Sequence, residues 1–356
     1  MREEKREKRR VLLGMSGGVD SSLAAYLLKK EGYEVTGCTM SLYNPDGPQT
    51  QENIHDAKSV ADALGIPFEV LHLEEAFREK VVSYFVEEYK AGRTPNPCVR
   101  CNKTIKFGLF LEEALKRGYD DVATGHYVRL TNVDGRLAIA RAGDEKKDQS
   151  YFLYGLTQEQ LAHVLFPLGD YTKDKVRELA KEWDLPVATK KDSEDVCFIP
   201  DGDAMGFLRQ RVKTCPGEFV DTKGRVLGRH EGALGYTLGQ RRGLGVALGK
   251  KMFVKAILPE EERVVLAEDR ELYASRLYAK DVNFQGIADL STPRRAYGKV
   301  RSSKVPAAAT IVMEGDLLVA DFEEPVRAMT PGQAAVFYDE EGRILCGGTI
   351  VDKKDA

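Results

Sequence analysis

Short apolar runs alternate with stretches of helical spacing through the first third of the chain. The apolar runs have the length of buried parallel strands and cover residues 11–15, 33–40, 68–73 and 121–124. Apolar positions recur at helical spacing in the stretches 21–30, 51–64, 74–91 and 103–117. Such alternation predicts an α/β fold with a doubly wound parallel sheet, in which ligands bind at the carboxyl ends of the strands.

The pattern changes twice further along the chain. A hairpin is predicted from residues 127–130 and 136–140 across the Asp134-Gly135 turn, followed by helices over 172–184 and 203–212. After Cys215, short apolar runs alternate with glycine turns, and period-2 runs over 277–351 are typical of a small barrel. We therefore expect a catalytic domain over 1–212, a small central domain over 213–274 and a C-terminal β-barrel over 275–356.

The segment GMSGGVDSS (residues 14–22) connects the first predicted strand to the first predicted helix. A glycine-rich turn there would aim backbone N–H groups and the positive end of the helix dipole at an anion. The hydroxyls of Ser16, Ser21 and Ser22 would add donors, and Asp20 could hold a magnesium ion. The loop lacks the Gly-Lys-Ser/Thr ending of a Walker A loop, and its simplest alternative is an ordinary Gly-Ser turn.

Composition and charge limit the classes of protein. The 356 residues carry a formal net charge of -3, and no apolar run has the length of a membrane span. The first ten residues, MREEKREKRR, do not resemble a signal peptide. Six cysteines in so long a chain do not indicate a disulfide framework. We expect a cytoplasmic protein without a membrane partner, whose thiols serve chemistry or metal binding.

Cys98 and Cys101 form a C-x-x-C pair within residues 92–102, a segment that two prolines are expected to keep as a rigid loop. The pair alone is compatible with half a zinc site, a redox pair or half an iron–sulfur site. A thioredoxin-type pair should open a helix, whereas here a helix is expected only after Asn102. Cys197 is the third candidate thiol.

Taken together, the motifs resemble those of one enzyme family. SGGVDSS resembles the signature of the PP-loop ATP pyrophosphatases, which belong to the adenine nucleotide alpha hydrolase-like folds. TPNPCVRCN, GHYVR, KDQSYFLY, DVCFI, LGQRRGLG and TPGQ follow in the order found in the tRNA-specific 2-thiouridylases, the MnmA family. The resemblance implies Mg-ATP-dependent replacement of O2 of uridine 34 in tRNA by sulfur. It also implies a PP-loop domain, a central tRNA-binding linker domain and a C-terminal β-barrel.

The resemblance assigns roles residue by residue. The family's ATP contacts fall on Gly14, Met15, Ser16, Gly17, Gly18, Val19, Asp20, Ser21, Met40 and Gly125. The segment facing the target base falls on Asn96, Pro97 and Cys98, and the tRNA contacts fall on His126, Lys147, Asp148, Gln149, Arg301, Ser302 and Gln333. Purely structural roles are the alternatives, with Met40 as a core methionine and His126 as a packed histidine.

The implied sulfur chemistry uses two of the thiols. Adenylation of O2 of the uracil turns a poor leaving group into AMP, and a sulfur nucleophile then attacks C2. In the family, the cysteine of the CFI motif carries a persulfide, here Cys197, and Cys101 then frees the sulfur by attacking the disulfide. Arg100 and Lys103 beside Cys101 would favour its ionisation. The sulfur donor would be a cysteine desulfurase, a relay protein or sulfide.

This sequence departs from the family pattern at two positions. Many members carry Asp where Cys98 stands, so a general acid–base role there is in doubt. Three thiolates, Cys98, Cys101 and Cys197, would suit a [4Fe–4S] cluster with one open iron, as an alternative to the persulfide route. Ser302 stands where an aromatic residue often follows the arginine, so one stacking contact with RNA could be missing.

RNA binding also requires basic surface. The candidates for phosphate contacts are Arg241, Arg242, Arg294, Arg295, Lys299, Arg301 and Lys304, and a solvated barrel face is the alternative for each. Two other functions remain open. A PP-loop ligase of argininosuccinate synthetase type would not need Cys197, and a non-catalytic RNA-binding protein with a switch at Cys98 and Cys101 would not need ATP.

Overall fold

A computed structural model describes residues 8–44, 46–191, 196–199, 202–246, 249–303 and 305–352. The chain divides into two compact units. The first unit comprises Met1–Lys80, Val99–Glu194 and Glu341–Ile344, and the second comprises Val81–Cys98, Asp195–Glu340 and Leu345–Ala356. Each unit is described by itself below.

The first unit is built on a parallel sheet, as the alternating pattern predicts. The strands of the first unit, of which all but β5 and β6 belong to this sheet, are β1 (Arg10–Gly14), β2 (Glu34–Ser41), β3 (Phe68–His72), β4 (Asp121–Thr124), β5 (Val128–Val133), β6 (Arg136–Arg141) and β7 (Val164–Leu165). The sheet order is β3-β2-β1-β4-β7, with every pair parallel. β5 and β6 form the predicted hairpin, whose turn residues Asp134 and Gly135 both have positive φ. The doubly wound α/β prediction is confirmed.

Helices cover the sheet and continue into the second unit. In the described part of the chain they are α1 (Val19–Lys30), α2 (Pro48–Leu64), α3 (Glu74–Phe77), α4 (Tyr84–Lys90), α5 (Pro97–Cys101), α6 (Phe110–Lys116), α7 (Gln158–Leu161), α8 (Lys173–Glu182) and α9 (Ala204–Arg209). A π-helical stretch, Arg78–Ser83, joins α3 to α4. Trp183 packs against the core of the first unit, where its ring stacks on Tyr26 at 3.7 Å between centroids.

The prediction of a rigid loop over residues 92–102 is wrong at the C-terminal end of this segment. A helix begins at Pro97 with α5, continues as a π-helical stretch, Asn102–Leu109, and ends with α6. Proline is well suited to the first helical position, because the N–H that it lacks has no intrahelical partner there. The C-x-x-C pair therefore opens a helix, as a thioredoxin-type pair does. π-Helical turns are frequent at functional sites.

The second unit contains two β-structures. A four-stranded sheet has the order β10-β11-β8-β9 and is formed by β8 (Gly217–Asp221), β9 (Val226–His230), β10 (Phe253–Leu258) and β11 (Arg263–Ala267). A six-stranded closed barrel follows with the order β12-β15-β14-β13-β16-β17. Its strands are β12 (Tyr273–Phe284), β13 (Arg294–Lys299), β14 (Ala307–Glu314), β15 (Leu317–Arg327), β16 (Ala334–Tyr338) and β17 (Ile344–Val351). The barrel prediction is confirmed.

Short 3-10 turns are found at Ser150–Leu153, Pro259–Glu261 and Asp269–Leu272. Among the described residues, no helix is both long and apolar enough to cross a bilayer.

Candidate nucleotide and sulfur-transfer site

The loop between β1 and α1 lies at the carboxyl end of the parallel sheet, as predicted. Gly18 precedes the first turn of α1 in an extended conformation, and no side chain caps that helix end. The backbone N–H of Met15 donates to the carbonyl of Cys38 at 2.8 Å, which fixes the start of the loop on β2. The first N–H groups of α1 are therefore placed to receive an anion.

Two glycines of this site have no room for a side chain. Gly17 has φ of +71°, and a Cβ there would overlap the carbonyl oxygen of Asn53 on α2. Gly125 follows β4, and a Cβ there would lie 2.8 Å from the backbone nitrogen of Ser21 and 2.9 Å from the carbonyl carbon of Asp20. The loop is thus enclosed by backbone on both sides, and its shape depends on these two glycines.

The three hydroxyls of the loop do not have the same role. Ser16 is exposed, and its backbone N–H donates to Oγ of Ser21 at 3.2 Å. Ser22 is fully buried and donates to the carbonyl oxygen of Gly18 at 2.8 Å. The expectation that Ser22 donates to an anion is therefore wrong, because its hydroxyl closes the first turn of α1. The Ser21 hydroxyl is also buried and donates to the same carbonyl at 3.2 Å, so Ser16 is the exposed candidate of the three.

Asp20 forms an ion pair that the sequence analysis missed. Nζ of Lys173 lies 2.7 Å from Oδ1 and 2.8 Å from Oδ2 of Asp20, and the Tyr127 hydroxyl donates to Oδ1 at 2.6 Å. The lysine is 153 residues away in sequence. Its signal in the sequence is its position: Lys173 falls on the buried face of α8 with Val176 and Ala180, where a lysine is unexpected.

Met40 is half-buried near the end of β2, and its Cε would lie 3.1 Å from a Cβ at Gly14. The side chain thus touches the strand end that leads into the loop. This placement suits an adenine contact and a core role equally well.

The candidate thiols differ in exposure. Cys98 and Cys197 are exposed, whereas Cys101 is 7% exposed. The access that disulfide exchange requires is therefore not present at Cys101 in this structure. Of the basic neighbours, Arg100 donates through Nε to the carbonyl of Lys80 at 3.2 Å, and the Lys103 side chain packs near Gly155.

An aromatic cluster holds the segment that carries Cys197. The Phe198 ring lies 5.4 Å from the ring of Phe85 and 5.3 Å from the ring of Phe207. Phe198 and Ile199 are buried, so the CFI motif is anchored while its thiol faces outward. Asp195 and Pro200, which flank this motif, lie outside the described residues.

The thiols of two further cysteines, Cys38 and Cys346, are unreactive at neutral pH. Burial raises the pKa of the Cys38 thiol to about 12, and burial likewise raises the pKa of Cys346 to about 12. Both thiols remain protonated at neutral pH. Cys215 is exposed and belongs to none of the motifs.

The described residues contain no group of three His, Cys, Asp or Glu side chains that could hold a metal ion. The [4Fe–4S] cluster expected at Cys98, Cys101 and Cys197 stays a prediction, since these thiols belong to two different units. A magnesium ion shared between Asp20 and substrate phosphates would have to use the part of the carboxylate that Lys173 and Tyr127 leave open.

Gln333 holds the segment that leads to the base-facing residues. Its Nε2 donates to the carbonyls of Thr94 at 2.9 Å and Pro95 at 3.3 Å, and the Thr94 N–H donates to Pro331 at 3.0 Å. Asn96 and Pro97 follow directly, with Asn96 half-buried and Pro97 buried. Gln333, assigned above to tRNA, is thus placed to position this segment.

His126 packs between aromatic rings in the first unit. Its ring lies 5.8 Å from that of Phe107 and 6.4 Å from that of Phe166, and Nδ1 lies 2.7 Å from Oγ1 of Thr124. Burial lowers the pKa of His126 well below its usual value, and Lys106 lowers it further. A neutral imidazole can form hydrogen bonds but cannot attract phosphate by charge.

The run Lys147-Asp148-Gln149 is half-buried, and two of its side chains bond within the first unit. Asp148 accepts hydrogen bonds from the backbone and hydroxyl of Ser150 at 3.1 Å and 2.9 Å. Oε1 of Gln149 accepts from the N–H of Tyr127 at 2.9 Å. These bonds order the loop beside the Asp20 ion pair.

The basic candidates divide by exposure. Arg301 donates to the carbonyls of Leu238 and Ala328 and to Oγ1 of Thr330, which ties barrel to sheet within the second unit. Lys299 is 9% exposed, and Arg295 pairs with Glu323 at 3.2 Å. Arg301 and Lys299 are therefore poorly placed for phosphate contacts. Arg295 is exposed in spite of its ion pair, as are Arg241, Arg242, Arg294 and Ser302, and Lys304 lies outside the described residues.

Family models match almost the whole chain. Residues 9–201 match a model described as "tRNA methyl transferase HUP domain". Residues 205–268 match the "tRNA methyl transferase PRC-barrel domain", and residues 274–350 match the "Aminomethyltransferase beta-barrel domain".

Curated relatives match at high identity over their full length. The chain is 48% identical over 357 residues to the tRNA-specific 2-thiouridylase MnmA of Clostridioides difficile (strain 630), covering 97% of this chain and 98% of the relative. It is 47% identical to MnmA 1 of Clostridium botulinum (strain Loch Maree / Type A3), and the match covers 97% of this chain and 100% of the relative.

Among solved structures, the U34-tRNA thiolase NcsA of Methanococcus maripaludis, with its [4Fe-4S] cluster, is 19% identical with a TM-score of 0.36. The match covers 58% of this chain and 68% of the NcsA chain, and no argument rests on a likeness this weak. The identities to the curated relatives, together with the three matched models, show that this chain belongs to the tRNA-specific 2-thiouridylase MnmA family.

Proposed function

We propose that the protein is an ATP-dependent tRNA sulfurtransferase that replaces O2 of uridine 34, in the wobble position, by sulfur and releases AMP and pyrophosphate. Family membership supports the reaction class. The observation that carries the proposal is the loop of residues 14–21, which places an uncapped helix end and tightly enclosed glycines at the ligand end of a parallel sheet.

The first step is adenylation of the base. The residues proposed to bind ATP are those assigned above, from Gly14 to Ser21 with Met40 and Gly125, and Asp20 would share the magnesium ion with the phosphates. O2 of the uracil bonds to the α-phosphorus, pyrophosphate leaves with the electron pair of the broken bond, and the N3 proton passes to water. Asn96, Pro97 and Cys98 are proposed to face the base.

The second step transfers sulfur. The terminal sulfur of a persulfide on Cys197 attacks C2 of the base, and AMP leaves with its bonding electrons. The Cys101 thiolate then attacks Sγ of Cys197, which frees 2-thiouridine and leaves a Cys101–Cys197 disulfide. A thiol reductant must reduce that disulfide before the next cycle. Because Cys101 is buried here, this attack requires the first turns of its helix to open.

The Cys197 persulfide is proposed to be loaded by a cysteine desulfurase or a relay protein, which transfers sulfane sulfur to the thiol. Sulfide lacks the two oxidising equivalents that a persulfide requires, so as the donor it would attack C2 of the adenylated base directly. A cytoplasmic location is proposed on the same basis, since tRNA and ATP are its substrates. We also propose the domain limits 1–212, 213–274 and 275–356.

The direct test is mass analysis of tRNA nucleosides after incubation with ATP and either sulfide or a cysteine desulfurase. We expect 2-thiouridine in tRNA that carries uridine 34, with AMP and pyrophosphate in equal amounts. Omission of ATP should abolish the formation of 2-thiouridine. ATP cleavage with an amine acceptor and no thiolated nucleoside would indicate a ligase, and tRNA binding unaffected by ATP would indicate a binding protein.

Arg241 and Arg242 are expected to contribute to tRNA affinity through phosphate contacts, because both are exposed beside each other in the second unit. Changing both to alanine should flatten the dependence of log Kd on log salt by about 0.7 to 0.9 per lost contact. Filter binding between low and high salt measures this. The matched control is Arg225→Ala, because Arg225 already pairs with Asp221 at 2.7 Å. An unchanged slope in the double variant would contradict the assignment.

Gln333→Glu is expected to misplace the base-facing segment, because a carboxylate would face the Thr94 and Pro95 carbonyls that the amide now binds. The rate of pyrophosphate release at saturating tRNA should fall about tenfold or more, the cost of lost positioning, with tRNA affinity nearly unchanged. Gln210→Glu, at an exposed glutamine, is the control. A loss of tRNA affinity with an unchanged saturated rate would instead support a direct tRNA contact.

A further inference from the structure

The phosphate-binding loop has no cation of its own. Residues 14–22 contain one ionisable side chain, the carboxylate of Asp20. Such a loop must still receive the negative charges of a triphosphate, and a Walker A loop does so with a built-in lysine. The charge must therefore come from elsewhere in the chain or from a metal ion.

Lys173 supplies a cation at this place. Its Nζ contacts both carboxylate oxygens of Asp20, which lies in the first turn of α1, the end proposed to hold pyrophosphate. The lysine is 7% exposed, while the Asp20 side chain remains 33% exposed. The lysine is thus largely shielded from solvent, whereas the carboxylate that it contacts remains partly accessible.

Folding alone does not favour a lysine at this position. Lys173 is the first residue of α8, where a positive charge opposes the helix dipole. It also occupies the buried face of that helix, where an ammonium must be desolvated. An apolar residue would avoid both costs, so the local rules of helix formation and packing do not account for this lysine. Violations of this kind are expected at functional sites.

Several hydrogen bonds fix the ammonium in place. Oγ1 of Thr172 caps α8, and Oδ2 of Asp144 accepts the backbone N–H of Lys173 at 2.9 Å. The Tyr127 hydroxyl holds Oδ1 of Asp20, and Gln149 in turn holds the backbone of Tyr127. A preorganised charge of this kind pays no reorganisation cost when a reaction develops charge beside it.

We propose that Lys173 is a catalytic residue of the adenylation step, whose ammonium contacts the phosphates of ATP and neutralises the charge that develops on departing pyrophosphate. The inference rests on the proposed function for its reaction. In that step the base oxygen bonds to the α-phosphorus, the bond from phosphorus to the oxygen shared with the β-phosphate breaks, and its electron pair leaves with pyrophosphate. Asp20 and Tyr127 position the ammonium.

The test compares Lys173→Met, Lys173→Arg and Lys175→Met. Lys175 lies on the same helix but is exposed and pairs with Glu178, so its variant is the matched control. Two quantities are measured: binding of Mg-ATP alone by calorimetry, and tRNA-dependent release of pyrophosphate. Thermal unfolding of each variant reports stability separately.

For Lys173→Met we expect kcat for pyrophosphate release to fall about a hundredfold or more, as when one preorganised donor is lost. Its Kd for Mg-ATP should rise about tenfold, the effect of one charge-assisted hydrogen bond. Lys173→Arg should recover part of the lost turnover rate and part of the lost affinity for Mg-ATP. Lys175→Met should match wild type in both measurements.

The inference is overturned if Lys173→Met binds ATP and turns over like wild type. It is also overturned if the methionine and arginine variants lose stability and activity equally, which is the pattern of a structural ion pair. If wild type binds Mg-ATP through Lys173 but never releases pyrophosphate with tRNA, the proposed reaction fails while the assignment of Lys173 to the nucleotide stands.

Discussion

With a cysteine desulfurase as the sulfur donor, Cys197→Ser is expected to reduce formation of 2-thiouridine to background while tRNA-dependent release of pyrophosphate continues for a single turnover. A serine hydroxyl cannot carry a persulfide, so no sulfur nucleophile reaches C2, yet nothing in the adenylation step uses this thiol. The base should then remain adenylated or return to uridine by hydrolysis. The two outcomes are separated by quantifying thiolated nucleoside and pyrophosphate in the same reaction.

Cys215→Ser is the matched control, because Cys215 is also exposed and lies outside every motif. It should thiolate tRNA at the wild-type rate. Retention of 2-thiouridine formation by the Cys197 variant would contradict the sulfur route proposed above. Loss of pyrophosphate release in that variant would mean that Cys197 takes part in the first step instead.

Gly17→Ala is expected to lower ATP-dependent pyrophosphate release about a hundredfold or more. The left-handed backbone at Gly17 costs a side chain about 1–2 kcal/mol, and the added Cβ would overlap the Asn53 carbonyl. The loop must therefore shift, and a displacement of about 1 Å is enough for such a loss. Steady-state release of pyrophosphate with saturating tRNA measures the effect.

Gly32→Ala provides the control for backbone strain. Gly32 also has positive φ, at +93°, but nothing lies within 4 Å of its added Cβ. We expect a small loss of thermal stability and normal turnover. If both variants behave alike, strain in general and not the enclosure of the loop determines the result.

The elements of this fold follow from local sequence pattern where the pattern is regular. The apolar run before Gly14 and the run at 121–124 became neighbouring strands because parallel strands buried on both faces need continuous apolar residues. The Asp134-Gly135 turn connects the two strands of the predicted hairpin. Both residues adopt positive φ, as a two-residue hairpin turn requires. Such signals act within a few residues and can be recognised without knowledge of tertiary structure.

The helix at Pro97 was missed for a specific reason. The prediction of a loop treats proline as a helix breaker, a rule that holds in helix interiors and fails at the first position, where its fixed φ suits a helix. The position of the proline relative to the helix start decides which rule applies. The exposure of Cys98 and burial of Cys101 follow from this helix.

Contacts between distant segments lay beyond sequence reasoning. Lys173 reaches Asp20 over 153 residues, and Gln333 reaches Thr94 over 239. The motif resemblance marked Gln333 and Arg301 as functional without giving the mechanism, and their donors are directed at backbone carbonyls of the protein. Lys173 lies on the buried face of α8 with Val176 and Ala180, so a lysine on an apolar helix face was the signal available.

The two sequestered thiols described above have a consequence for chemoselectivity. Cys38 and Cys346, with pKa values raised to about 12, present almost no thiolate at neutral pH and no surface to an incoming reagent. A donor that transfers sulfane sulfur, or an oxidant, therefore does not react with these two thiols in the folded protein. Burial thus protects Cys38 and Cys346 from such modification without a dedicated recognition element.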